Sequence, residues 1–166
     1  MSIQLPDAER LYKELLEQLR RDIHPDTAMV GIYTGGVWLA ERLHKDLDVK
    51  HPLGQIDISF YRDDFEQSGL KANLQRSQIP FDVAGRHILL VDDVLYTGRT
   101  VRGAMNELFD YGRPASISLV VLVDRGEREL PVGAQYVAAN MTVPKGSMLV
   151  LDRDASGKLS LRFDDA

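Results

Sequence analysis

Two adjacent carboxylates, Asp92 and Asp93, end the apolar run Ile88 to Val91 and lead into Val94-Leu95-Tyr96-Thr97-Gly98-Arg99-Thr100. These residue types suit a phosphorylated sugar. The amides of a short loop, with the positive end of a helix starting near Gly98 or Arg99, can hold a phosphate dianion. Thr97 and Thr100 add hydroxyl donors, and Gly98 lets the backbone approach a ligand with no side chain in the way. Asp92 and Asp93 sit at the mouth of the loop. There they can accept hydrogen bonds from ribose hydroxyls or from water on a magnesium ion. An acid pair alone would be a cap or a turn. Here strand, carboxylates, loop and helix agree.

Such a loop must be carried by regular elements, and their order is readable. Leu11, Leu15, Leu19 and Ile23 recur every four residues, which predicts a helix over 7–23. Ala28 to Tyr33 is a short apolar strand. Thr34-Gly35-Gly36 follows, read either as a plain tight turn or as a second strand-to-helix anion site. Val37, Ala40, Leu43 and Leu47 mark the next helix. Alternation predicts a strand from Gln55 to Tyr61. Residues 62–80 are polar and without period, long enough to be a functional lid, and Arg62 at their start could neutralise a leaving anion. His87 to Val91 reads as a buried strand. Val101, Met105 and Leu108 give the following helix its apolar face, closed at Tyr111-Gly112-Arg113-Pro114. Ile117 to Val123 suits a central parallel strand, and Ala134 to Ala138 a further one. Met148 to Leu151 and Leu159 to Phe163 flank a turn at Gly157 and predict a hairpin.

This order predicts an α/β fold, a mainly parallel central sheet flanked by helices with a small extra β element. Ligands bind such sheets at the carboxyl ends of the strands, where Thr34, Asp92-Asp93 and Asp124-Arg125 all fall. The chain has 166 residues, enough for one domain. Its net charge of −5 argues against a generally basic nucleic-acid binder, although a local basic face is compatible with it. The absence of cysteine excludes disulfides, zinc-thiolate sites and thiol nucleophiles. No apolar run suits a membrane span or a signal peptide, so a cytoplasmic location with no membrane partner is expected. His24, His44, His51 and His87 lack metal-ligand spacing and read as structural or exposed. Trp38 reads as a packing or interface residue, Arg10 as part of the wet side of the first helix, and Asp164-Asp165 as a frayed tail.

The stretch Ile88 to Thr100 resembles the phosphoribosyl pyrophosphate signature of type I phosphoribosyltransferases. Ile56 to Asp64, containing Tyr61-Arg62-Asp63-Asp64, and Leu122 to Pro131, containing Asp124-Arg125-Gly126-Glu127-Arg128-Glu129-Leu130-Pro131, narrow the resemblance. They are similar to the pyrimidine-operon regulators that are also uracil phosphoribosyltransferases, and the similarity runs along nearly the whole chain. It implies a type I phosphoribosyltransferase domain spanning 1–166, with a small hood built from the N-terminal helix and the C-terminal strands. It implies transfer of ribose 5-phosphate from phosphoribosyl pyrophosphate to N1 of uracil, giving UMP and pyrophosphate with Mg²⁺ as cofactor. It also implies a homodimer or tetramer, and UMP-promoted binding of leader mRNA from a pyrimidine operon.

Carried onto this chain, the resemblance gives the 5-phosphate to the loop from Leu95 to Thr100, that is Leu95, Tyr96, Thr97, Gly98, Arg99 and Thr100, with Val94 beside it. The ribose diol and Mg²⁺, held through water, go to Asp92 and Asp93. Their charge would also stabilise positive charge developing on the sugar, and Asp93 is a candidate to receive the N1 proton. Pyrophosphate goes to the amides of Thr34 and Gly35 with Arg62 closing over it, and the base to Arg125 and the backbone around Val143. Arg10 and Arg128 are candidate RNA contacts. Two departures stand out. Many of these regulators have Thr-Arg-Gly where this chain has Thr34-Gly35-Gly36, and several have histidine at Glu127, where a carboxylate would repel RNA phosphates. The alternative reading is a nucleotide-sensing regulator with weak or no turnover.

Overall fold

A computed structural model describes residues 3–58 and 77–166. The strand expected from Gln55 to Tyr61 ends at Ile56, and its last three positions, the Arg62 cation and most of the 62–80 stretch lie outside the described residues. Among those described, the architecture is the expected one. Strands β1 (Ala28–Ile32), β2 (Gly54–Ile56), β3 (His87–Leu95), β4 (Ser116–Asp124) and β5 (Tyr136–Asn140) form a parallel sheet in the order β2-β1-β3-β4-β5. Helices α1 (Ala8–Asp22) and α2 (Gly35–Asp46) cover one face, and α3 (Arg99–Tyr111) covers the other.

The period of a strand decides which residue meets which face. In β3, Leu89 and Val91 join the core under α1 and α2, while Ile88 and Leu90 join the core under α3. Strand β4 splits in the same way, Val120 and Leu122 against Leu119 and Val121. Helix α1 presents Leu11, Leu15 and Leu19, the predicted stripe, and Asp7 caps it by accepting from Glu9 N–H at 3.0 Å.

The remaining strands, β6 (Ser147–Arg153) and β7 (Leu159–Asp165), form an antiparallel hairpin. Asp154 accepts from the N–H groups of Ser156 and Lys158 in its turn, and Gly157 supplies the left-handed residue at φ 90°. Glu9 ties this hairpin to the two helices. It accepts Leu159 N–H at 2.8 Å and two bonds from Arg42, at 2.8 and 3.0 Å. Those bonds hold its carboxyl below the usual range.

Several boundaries differ from the sequence reading, each for a local reason. Strand β3 runs on through Asp92 and Asp93 to Leu95, because β4 continues beside it and pairs Val94 with Val123 and Leu95 with Asp124. The acids are therefore in the strand and not after it. Strand β5 starts at Tyr136, two residues later than expected. The Gln135 side chain takes Leu119 N–H at 2.7 Å, where a ladder carbonyl would otherwise serve. Asp164 and Asp165 are no frayed tail: both belong to β7, and Ala166 N–H still reaches Gly146 O at 2.9 Å. The end of the 62–80 stretch is anchored, with Gln78 exchanging two 2.8 Å backbone bonds with Gln55.

Candidate functional site

The carboxyl ends of β1, β3 and β4 meet at one edge of the sheet, and a cavity of about 310 Å³ opens there. Asp92 and Asp93 form part of its wall, followed by Val94, Leu95, Tyr96, Thr97, Gly98 and Thr100. Arg125 closes the side toward β4, and Met148, Val150, Asp164 and Asp165 of the hairpin face them. Tyr33 completes the β1 side.

Strand alternation sends the two acids in different directions. Asp93 shares the face of Leu89 and Val91, which is the α2 face. Asp92 shares the α3 face and is buried. One oxygen of each is engaged locally: Asp92 Oδ1 accepts Asp93 N–H at 2.9 Å, and Asp93 Oδ1 accepts Val94 N–H at 2.8 Å.

The Thr34-Gly35-Gly36 turn lies against this pair. A methyl on Gly36 would be 2.5 Å from Val91 O, and one on Gly35 would overlap Asp93 Oδ2. Glycine at both positions is what lets α2 start so close to β3. Thr34 is the N-cap residue of α2 without a side-chain cap, and its carbonyl accepts from Val37 and Trp38 N–H. The Tyr33–Thr34 peptide is cis.

Gly98 has φ 94° and opens α3, and a Cβ there would be 3.3 Å from Val132. A left-handed residue at the helix start turns the chain so that Arg99 N–H reaches Thr97 Oγ1 at 3.2 Å. The Arg99 side chain turns outward to Glu129 at 2.8 Å and is no part of the cavity wall.

Arg125 is the one buried cation in that wall among the described residues, its side chain 5% exposed. Its guanidinium stacks on the Tyr96 ring at 3.8 Å, donates to Glu127 at 2.8 Å and reaches Ser147 O at 3.4 Å. The Nε has no partner. Glu127, a departure noted in the sequence, therefore folds its carboxylate back onto Arg125.

The other expected residues fall as follows. Val143 is buried in the core under α1 and α2 and does not line the cavity. Arg10 is exposed on α1. All three nitrogens of Arg128 are bonded internally, Nε to Val132 O, Nη1 to Tyr96 O and Gly126 O, Nη2 to Asp124. The sequence reading missed the hairpin wall, Met148, Val150, Asp164 and Asp165. Pattern gave the hairpin but not which side of the sheet edge it would cover. Trp38 packs against the core under α1 and α2 with Arg153 over its ring at 4.9 Å. All four histidines make hydrogen bonds, His24 by accepting Asp26 N–H at 3.1 Å, and the His24 and His87 rings lie 4.9 Å apart, tilted by 42°. Among the described residues there is no group of three side chains suited to a metal, and no helix long and apolar enough to cross a membrane.

Comparison with known proteins decides the family. The model for the phosphoribosyl transferase domain matches residues 3–142. The chain belongs to the phosphoribosyl transferase family. Relatives place it near the proteins named bifunctional protein PyrR. That of Nitrosococcus oceani is 52% identical over 140 residues, which are 83% of this chain and 79% of the other. That of Ralstonia nicotianae is 46% identical over 98% of this chain and 95% of its own. Among solved phosphoribosyl transferase structures, a hypoxanthine-guanine phosphoribosyltransferase from Bacillus anthracis aligns with TM-score 0.66 over 85% of each chain. At 20% identity it supports the shared fold and nothing finer.

Proposed function

We propose that this phosphoribosyltransferase makes UMP and pyrophosphate from uracil and phosphoribosyl pyrophosphate, and that it also regulates pyrimidine genes by UMP-responsive binding of leader mRNA. The observation that carries the catalytic reading is the cavity itself. It joins the acid pair, the Tyr96–Thr100 loop and a buried arginine at the carboxyl ends of three strands. The regulatory half is supported by the names of the relatives.

In the reaction the bond from the anomeric carbon to pyrophosphate breaks, N1 of uracil bonds to that carbon, and the N1 proton passes to a base, the role given to Asp93. The loop after β3 binds the 5-phosphate. Asp92 and Asp93 hold the sugar hydroxyls and oppose the positive charge that grows on the ring. The α2 turn, with Thr34 and Gly35, receives the leaving pyrophosphate, and Arg62 supplies the closing cation. The base lies under the hairpin beside Arg125 and Tyr96, with α1 and the hairpin as the hood. Asp92 and Asp93 in the cavity wall offer only oxygen donors, the chemistry that suits a magnesium ion keeping most of its waters. When bound, Mg²⁺ would neutralise pyrophosphate charge, with Asp92 and Asp93 holding it through water. The protein works as a homodimer or tetramer.

The test is turnover with phosphoribosyl pyrophosphate, Mg²⁺ and each of uracil, cytosine, orotate, hypoxanthine and adenine. UMP from uracil alone is the expected result. Asp93→Asn should lower turnover by about 100-fold or more, the scale of losing one transition-state electrostatic contact. Binding of UMP without any turnover would replace this reading with that of a nucleotide sensor. For the regulatory half, a UMP-strengthened and salt-dependent shift of leader RNA is expected, and no shift with any pyrimidine-operon leader would remove it.

A further inference from the structure

Three successive carbonyls, from Leu95 at the end of β3 to Thr97 in the loop after it, are taken by the 125–130 segment. Arg125 N–H donates to Leu95 O at 3.0 Å, and Arg128 Nη1 to Tyr96 O at 2.8 Å. The N–H groups of Glu129 and Leu130 both donate to Thr97 O, at 2.9 and 3.1 Å. In a trans peptide, the C=O of one residue and the N–H of the next point to opposite sides. The N–H groups of Tyr96, Thr97 and Gly98 are therefore turned away from the 125–130 segment, and those three residues line the cavity.

Arg128 anchors that segment. Besides Tyr96 O it holds Val132 O at 2.9 Å, Gly126 O at 3.4 Å and the Asp124 carboxylate at 2.5 Å. Burial pulls the Asp124 carboxyl up, but the bonds from Arg128 and Gly126 N–H outweigh it and keep it below the usual range. Leu130 and Val132, within the same turn, pack behind Gly98. Without Arg128 the Tyr96 carbonyl loses its charged donor, and a lone pair free to turn inward would repel a phosphate dianion.

We propose that Arg128 is a positioning residue for the 5-phosphate, holding the Tyr96 carbonyl outward and the 124–132 turn closed so that loop amides face the ligand. It touches no substrate. The proposal rests on the phosphoribosyltransferase reading above and extends it to a residue outside the cavity wall.

Calorimetric binding of UMP and uridine to the wild-type protein, Arg128→Ala and Arg128→Lys tests it, with steady-state kinetics on the same proteins. Arg128→Ala should weaken UMP about tenfold or more, the scale of a lost charged hydrogen bond, and change uridine by less than about twofold. KM for phosphoribosyl pyrophosphate should rise with KM for uracil unchanged, and lysine should restore part of the loss. Should Arg128→Ala fail to fold, Asp124→Asn takes its place: it loosens the anchor without touching the loop, and a loss of about threefold confined to UMP is expected. Equal losses for UMP and uridine, or unchanged UMP binding in a variant that melts like wild type, would overturn the proposal. Failure of the underlying reading looks different. Wild-type protein would then bind ribose 5-phosphate no better than ribose.

Discussion

The two turns that flank the acid pair are built on opposite principles. The loop after β3 is held by hydrogen bonds from a separate segment, whose donors take the carbonyls of Leu95, Tyr96 and Thr97. The turn before α2 is held by the absence of side chains, with Gly35 and Gly36 pressed against Asp93 and the β3 backbone. The first can lose one donor and relax by degrees, because several bonds share the task. The second has no slack, since any added atom must displace backbone or a carboxylate. A phosphate loop built the first way can be tuned from a distance. A turn built the second way fixes how closely a helix start can approach a strand end.

The sharpest way to break this contrast is Gly36→Ala. The new methyl meets Val91 O at 2.5 Å and Asp92 Cα at 3.0 Å, both backbone atoms that cannot rotate away. A stability loss of about 3 kcal/mol is expected, the upper range for overpacking a core, together with loss of turnover. Urea denaturation gives the first and the UMP assay the second. Native stability in this variant would mean that α2 can withdraw from β3, and that the turn is not rigid.

Gly35→Ala should separate site from fold. The nearest neighbours of its methyl are Asp93 atoms, a carboxylate that can turn and a Cβ at 3.0 Å that must give by a few tenths of an ångström. Stability should fall by less than about 1 kcal/mol, while turnover drops about 100-fold, equivalent to about 2.7 kcal/mol of barrier. An arginine at 35 brings a cation to the turn but requires Asp93 to lie elsewhere, so Gly35 and the seat of Asp93 belong together. Equal damage to stability from both alanines would erase the distinction between the two glycines.

How much of this was readable in the chain follows from the same contrast. The sheet was legible because Leu89 to Val91 and Leu119 to Val123 are continuous apolar runs, and the α1 stripe because Leu11, Leu15 and Leu19 recur every four residues. The phosphate loop was legible because threonine, glycine and acid pair are local. The clamp was not. In sequence Arg128 reads as a candidate RNA contact, and only the chain's return past β4 brings it under Tyr96 O. Nor was the reach of Gly35 to Asp93, since their closeness comes from the crossover between β1 and β3. An acid in sequence resembles a strand stop, whereas β4 continues to pair beyond Asp92 and carries β3 on to Leu95.

The smallest predicted effect concerns what Asp124 contributes to the clamp. Its folded carboxyl is held below the ordinary value, so in that window the unfolded chain binds more protons and stability rises with pH. The contribution is complete above the ordinary aspartate value of about 3.9 and fades as pH falls toward and through the lower folded value. Asp124→Asn keeps the shape and lacks the charge. At pH 7 it should be less stable by roughly 1 kcal/mol, since the pair is mostly buried and charge-assisted. Urea midpoints taken from pH 7 down to pH 3 should show wild type and variant converging in acid. A gap of constant size would mean that shape rather than charge secures the turn, and the donor-built loop would then resemble the glycine turn more closely than the geometry indicates.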